Sequence, residues 1–220
     1  ALELMEKVDT LVVDKTGTLT EGRPEVQQVF ASGGFRDSDV LGFAASLEAM
    51  SEHPLARAIV GEANRWGVAR LPVQGFAAVT GKGVRGGVEG REILLGNARM
   101  LEESGIDVAS AAPRVEEWQA QGQTVMYVAV GGRLAGLVGV ADPVKGTTPE
   151  AIRLLKESGV RITMLTGDNA TTASAVGRRL ALDDVKGGVL PQDKYRHVQA
   201  LQQEARVVAM AGDGVNDAPA

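Results

Sequence analysis

Residues 10–20 read Thr10-Leu11-Val12-Val13-Asp14-Lys15-Thr16-Gly17-Thr18-Leu19-Thr20. The run Thr10–Val13 is apolar, with β-branched side chains at Thr10, Val12 and Val13, as suits a buried strand. Asp14 closes it, and a glycine turn with three hydroxyl residues follows. In open α/β sheets, ligands bind just beyond the carboxyl ends of the strands. A carboxylate at that place is able to attack phosphorus and form an aspartyl-phosphate. The bland alternative is a strand-ending Asp that only caps a turn.

Short apolar strands recur at Arg161–Leu165, Val185–Val189 and Arg206–Met210, each ending in a polar loop. Helical patterns at Thr148–Ser158, Thr171–Ala181 and Asp193–Gln203 lie among them. This alternation predicts a doubly wound parallel sheet. The Asp14 strand must pair with strands that arrive far later, so the segment between them is an insertion. We expect residues 1–22 and 143–220 to form one domain and residues 23–142 an inserted second. Pro24 and Pro143 mark the two crossings, a two-stranded hinge.

The insertion has a different pattern. Glu25–Phe30 reads as a strand, and Asp37–Met50 and Pro54–Gly67 as helices. Strand signals follow at Gln74–Val79, Val84–Val88 and Glu92–Leu95, then a helix over Val108–Gln121 that ends at Gly122. Thr124–Val130 and Leu134–Val140 flank Gly131-Gly132, a hairpin signal. The expectation is an α+β domain, a mainly antiparallel sheet with helices on one side.

Composition removes several classes. The 220 residues carry a net charge of −5, so nothing draws the chain to nucleic acid. There are no cysteines, which excludes disulfides and thiolate metal sites. The two histidines, His53 and His197, are too few for an imidazole cage. The longest apolar stretch, Thr124–Ala141, is broken by Gly131-Gly132-Arg133 and falls short of the roughly 20 residues that cross a bilayer. No signal peptide is visible. We expect a soluble piece of a larger protein.

Phosphoryl transfer needs an in-line nucleophile, a metal ion, further cationic or N–H donors, and a nucleotide site. Asp14 supplies the first. Thr166-Gly167-Asp168-Asn169 ends the second strand and opens a helix, where backbone N–H groups bind phosphate. Lys194 follows Pro191-Gln192-Asp193 and supplies a point charge, although alone it is an ordinary helix lysine. Gly212-Asp213-Gly214-Val215-Asn216-Asp217 ends the fourth strand, and its two carboxylates suit Mg²⁺. Each motif alone is ambiguous. All four at the carboxyl ends of predicted parallel strands are not.

This set resembles the phosphorylation domain of the P-type ATPases, a member of the haloacid-dehalogenase-like fold. The resemblance implies that Asp14, the Thr16 main-chain carbonyl and Asp213 hold Mg²⁺. It implies that Thr166, Gly167 and Lys194 hold the phosphoryl group, with Asn216 and Asp217 in support, and that Lys15 and Asp168 belong to the catalytic motifs. Soluble phosphatases of the same fold carry a second aspartate two residues after the nucleophile. Here that position is Thr16.

Ser51-Glu52-His53-Pro54-Leu55 resembles the adenine-site motif of the heavy-metal-transporting branch, with ATP as substrate. That implies His53 against the adenine ring and Glu48 on its edge. Gly81 and Gly83 would let backbone approach phosphates or ribose, and Gly96-Asn97 would complete the pocket. Read alone, His53 is a surface residue before a helix, with Pro54 at the first helical position. Gly81, Gly83 and Gly86 also fit a dinucleotide fingerprint, but they lead into a strand and not a helix.

The approach Met5–Val13 looks most like the copper(I) exporters, with zinc or cadmium pumps as the close rival. The resemblance implies a cytosolic-face location beside the pump's own actuator and transmembrane domains. It places ion selection in membrane helices outside this chain, and no transported-metal site within it. The phosphorylation domain is expected to be incomplete at its C-terminal edge. Rivals of other classes are a soluble phosphatase of the same fold and a regulatory ATP-binding module.

Overall fold

The computed structural model describes residues 7–53 and 55–212. Asp213, Asn216 and Asp217 therefore lie outside the described residues, as does Pro54. The chain divides into two compact units, one of residues 1–23, 120–122 and 142–220, the other of residues 24–119 and 123–141.

The first unit holds a four-stranded parallel sheet in the order β10-β1-β8-β9. Its strands are β1 (Thr10–Asp14), β8 (Arg161–Leu165), β9 (Asp184–Lys186) and β10 (Val208–Ala211). Helices α5 (Thr148–Glu157) and α6 (Ala170–Arg179) cover one face over Val13, Ile162 and Met164. Helix α7 (Pro191–Gln203) covers the other over Val12 and Leu165, through Val198. The chain runs β1, β8, β9 outward, then returns to place β10 on the far side of β1. That reversal makes the carboxyl end of β1 a topological switch point, where open sheets form a ligand crevice. Asp14 occupies it.

One strand is shorter than the sequence predicts. Val185–Val189 pairs only through Lys186. Gly187 and Gly188 then leave the sheet and wrap the Thr166–Asp168 loop, Gly188 N–H bonding the Asp168 carbonyl and Val189 N–H the Thr166 carbonyl.

The second unit is a six-stranded antiparallel sheet in the order β2-β7-β6-β5-β4-β3. Its strands are β2 (Glu25–Ala31), β3 (Gln74–Val79), β4 (Gly83–Val88), β5 (Arg91–Gly96), β6 (Thr124–Val130) and β7 (Arg133–Ala141). Gly131 and Gly132 both have positive φ, 55° and 77°, as the tight β6–β7 hairpin demands. Helices lie on both faces, which corrects the expectation of one side. Helices α1 (Asp37–Glu48) and α2 (Ala56–Arg65) pack over Met126, Val128 and Val130. Helices α3 (Ala98–Glu103) and α4 (Ala112–Ala120) pack over Val125, Tyr127 and Ala129. The uninterrupted apolar run of β6 is the physical reason, since alternation is lost when both faces are buried. Helix α4 also starts later than expected. A short 3₁₀ turn over Ala109–Ala111 precedes it, and Pro113 sits in its first turn, where a missing N–H costs nothing.

Candidate active site

Asp14 ends β1, and Lys15–Leu19 follow as one wide turn, broken by non-helical angles at Thr16 and Gly17. The turn is held from two directions. Its own Gly17 N–H donates to the Thr20 hydroxyl at 3.3 Å. Residues 142–148 hold it from outside. Lys145 Nζ donates to the Gly17 carbonyl, and Thr148 Oγ1 donates to the Leu19 carbonyl at 2.8 Å. The Asp142 carboxylate accepts from the Thr20 hydroxyl. It also accepts from the Gly22 and Arg23 amides, at 3.2 and 2.9 Å. The sequence singles out Asp142 only as the residue before Pro143, and does not single out Lys145.

Four charged side chains of the predicted set meet here as two ion pairs. Lys194 Nζ lies 3.0 Å from Asp14 Oδ1. Lys15 pairs with Asp168. Lys15 and Lys194 are buried, at 8 % and 7 % exposure. Thr166 is buried beside them and its hydroxyl accepts the Asp168 N–H at 3.2 Å, which leaves the hydroxyl proton free to donate. Gly167 and Thr16 are exposed. Asn169, quoted in the sequence only as part of its motif, caps α6 by accepting the Thr172 N–H at 3.0 Å. One of the helix-start amides is therefore already engaged. Among the described residues no group of three or more His, Asp or Glu side chains stands ready for a metal ion. The implied Mg²⁺ set retains Asp14 and the Thr16 carbonyl, hard oxygen donors of the right kind, while Asp213 lies outside the described residues.

The implied nucleotide residues form two clusters in the second unit. Glu48 ends α1 and is 2 % exposed. Burial pushes its pKa up, and a hydrogen bond from Ser51 works against that. Its Oε2 is buried and finds no partner among the described residues. The Ser51 hydroxyl accepts the His53 N–H at 3.1 Å, and His53 Nδ1 accepts the Leu55 N–H at 3.2 Å. That bond fixes a neutral ring with its proton on Nε2. Loss of hydration lowers the His53 pKa.

The second cluster is built by close backbone approach. Gly83 and Gly96 face each other in the β4–β5 pair. A Cβ on Gly83 would lie 2.1 Å from the Leu95 carbonyl oxygen, and one on Gly96 2.4 Å from that of Lys82. Asn97 Nδ2 donates to the Gly81 carbonyl at 3.0 Å, and Asn97 Oδ1 accepts the Met100 N–H at 3.1 Å. Asn97 thus braces the Gly81–Gly83 loop and caps α3 at once. The clusters share a scaffold, because Leu47 beside Glu48 packs where a Gly86 side chain would stand.

The chain belongs to the haloacid dehalogenase-like hydrolases, a family it matches over residues 8–220. The relatives are narrower in kind. All 220 residues align at 48 % identity with Copper-transporting ATPase 2 of Rhizobium meliloti (strain 1021), covering 27 % of that protein. A zinc-transporting PIB-type ATPase solved in its E2.Pi state superimposes with a TM-score of 0.74 at 36 % identity, over 100 % of this chain and 35 % of that one. The catalytic domain of the CPx-ATPase CopB-B, solved in connection with conformational changes upon nucleotide binding, gives a TM-score of 0.72 at 31 % identity. That match covers 98 % of this chain and 75 % of the other. The chain spans about a quarter of the length of the curated relatives it matches.

Proposed function

We propose that this chain is the ATP-hydrolysing, cytosolic-face portion of a heavy-metal cation pump that exports copper(I). The observation that carries the reading is the pairing of Asp14 with Lys194 at the switch point of the parallel sheet. An Asp14 oxygen attacks the γ-phosphorus of ATP in line. The new P–O bond forms as the bond to the β,γ-bridging oxygen breaks, and ADP leaves with the electron pair. Lys194 and the Thr166 hydroxyl then face the transferred oxygens, where preorganised donors act most strongly. Asp14, the Thr16 carbonyl and Asp213 would hold Mg²⁺, which would neutralise charge at the phosphoryl oxygens.

Thr16 stands where a phosphatase keeps its general base. Attack by water therefore lacks the roughly 10²- to 10⁴-fold help of a positioned base, and the aspartyl-phosphate persists. In the second unit, the Glu48 oxygen that has no partner among the described residues is an acceptor suited to the adenine amino group. The neutral His53 ring is suited to stack beside it. Copper(I) is favoured over zinc by the higher identity to a copper-transporting ATPase than to the zinc-transporting structure. No helix among the described residues is long and apolar enough to cross a membrane. We assign ion selection to membrane helices outside this chain, with the pump's own actuator and transmembrane domains as its partners.

The test uses ATP labelled at the γ-phosphate and the full-length pump. An acid-stable, hydroxylamine-labile label that Asp14→Asn abolishes is expected, while the variant still binds nucleotide. Rapid loss of label would favour a soluble-type phosphatase, and no label a binding module. Label stimulated by zinc and not by copper(I) would overturn the ion assignment.

A further inference from the structure

The sheet face under α7 is apolar on one side only. Val12, Leu165 and Val198 form its small core, with Leu201, Val208 and Met210 against them. Toward β9 the same face turns polar, and a cavity of about 280 Å³ opens between α7 and the strands. Thr10 and Thr163 form its floor, 0 % and 4 % exposed. Val12 pairs with Thr163 and Thr10 with Arg161, so both hydroxyls rise from the face that carries Val12. His197 lines the cavity from α7. None of these residues belongs to the phosphoryl-transfer set.

The charges select the ligand class. Arg161, Arg206 and Lys186 line the cavity against Asp184 and Glu204, an excess of one positive charge before His197 is counted. Asp184 sits 3.5 Å from Lys186. The two guanidinium groups are differently placed. Arg161 feels Asp183 only through its charge, because Lys156 holds that carboxylate at 3.0 Å. Arg206 likewise acts on Asp9 only through charge, and that carboxylate is taken by the Thr10 hydroxyl at 2.7 Å. Among the described residues neither arginine forms an ion pair, so both have donors for an acceptor in the cavity. The volume is below the roughly 300–1,000 Å³ that encloses drug-sized ligands, so the ligand is smaller than ATP.

We propose that this cavity binds a small multivalent oxyanion, with Arg161 and Arg206 as its principal donors and Thr163 and His197 as lining partners. Phosphate and carboxylate groups share that chemistry. The site is independent of the phosphoryl-transfer reading, since Asp14, Lys15 and Lys194 take no part in it.

The two histidines make a direct test possible. In proton NMR the His197 ring signal is assigned by comparison with His53→Ala. Pyrophosphate and citrate are then titrated separately into the chain, with sodium chloride holding ionic strength constant. A saturable shift of His197, with His53 unmoved, is expected for at least one probe. The double variant Arg161→Gln/Arg206→Gln should bind about tenfold more weakly, the loss of charge-assisted bonds. Both side chains are exposed, and an unchanged urea-unfolding midpoint of the double variant certifies that the first unit is folded. A response to pyrophosphate alone assigns phosphate chemistry, to citrate alone carboxylate chemistry, and to both a general oxyanion site. No saturable shift, an equal shift with chloride alone, or full retention in the arginine variant would overturn the site.

Discussion

Lys194 Nζ and Asp14 Oδ1 stand 3.0 Å apart, with both side chains largely buried. They come from the end of the first strand and the start of α7, so the sheet order alone brings them together. Removing one partner of a buried pair leaves an uncompensated charge, which costs about 3–5 kcal/mol. Lys194→Met should lower the urea midpoint by a corresponding amount. It should also cut the phosphorylation rate by roughly 10²–10³-fold, the scale of one lost transition-state donor. Adding Asp14→Asn should restore much of the stability and none of the activity. A double variant no more stable than Lys194→Met would show that the pair is not coupled.

Lys15 and Asp168 make the second buried pair, from the first and second strand ends. Asp168→Ala should therefore destabilise the chain by about 3–5 kcal/mol, while Asp168→Asn, which keeps an acceptor of similar shape, should cost less. Thermal unfolding of the two variants decides it. Equal losses would mean that the lost charge, and not the size or the remaining acceptor, sets the cost at this position.

The close approach of β4 and β5 gives Gly83 and Gly96 a structural task before any ligand one. Gly83→Ala places a methyl group inside the reach of the Leu95 carbonyl, and φ at Gly83 is 151°. Overpacking of this kind costs about 1–3 kcal/mol. Each alanine variant should melt earlier without nucleotide present. An unchanged melting temperature together with weakened ATP binding would return these glycines to a purely ligand-facing role.

Much of this was open to a reader of the sequence, and the limits have physical causes. The β1 strand and the Asp14 turn are legible because a β-branched run closed by Asp and Gly has few other uses. Helix α3 is too short for a 3.6-residue period to show, and its only local signal is Asn97 at the cap. The β9 strand reads too long because Val185–Val189 is apolar at both ends, while the Gly187-Gly188 step between them leaves the sheet. Lys15 and Asp168 are both visible as motif residues, but linear spacing pairs neither. Strand order does that, and order is a property of the folded chain. The support of the turn by Asp142 and Lys145 was hidden for the same reason.

Glu48 joins stability to nucleotide binding through one carboxyl group. Burial raises its pKa above the ordinary 4.5, with Ser51 opposing. The sign follows from proton binding. Between the unfolded and the raised folded value, the folded chain holds more protons than the unfolded one. Its contribution to stability is fully present below about pH 4.5 and is lost as pH rises through the folded value. Above that range an ionised oxygen, Oε2, sits buried without a partner among the described residues. Glu48→Gln removes the ionisation. It should be more stable than the unaltered chain at about pH 8, by roughly 1 kcal/mol or more, and the difference should vanish toward about pH 4. The same change should weaken ATP binding, because hydrogen bonds to charged groups are worth about 1.5–3 kcal/mol and an amide is the poorer acceptor for the adenine amino group. Urea unfolding across that pH range and calorimetric ATP titration measure the two effects on one variant. A variant less stable at all pH values would mean that Glu48 has a charged partner in the free protein. Unchanged ATP affinity would remove Glu48 from the adenine site while leaving its burial to be explained by packing alone.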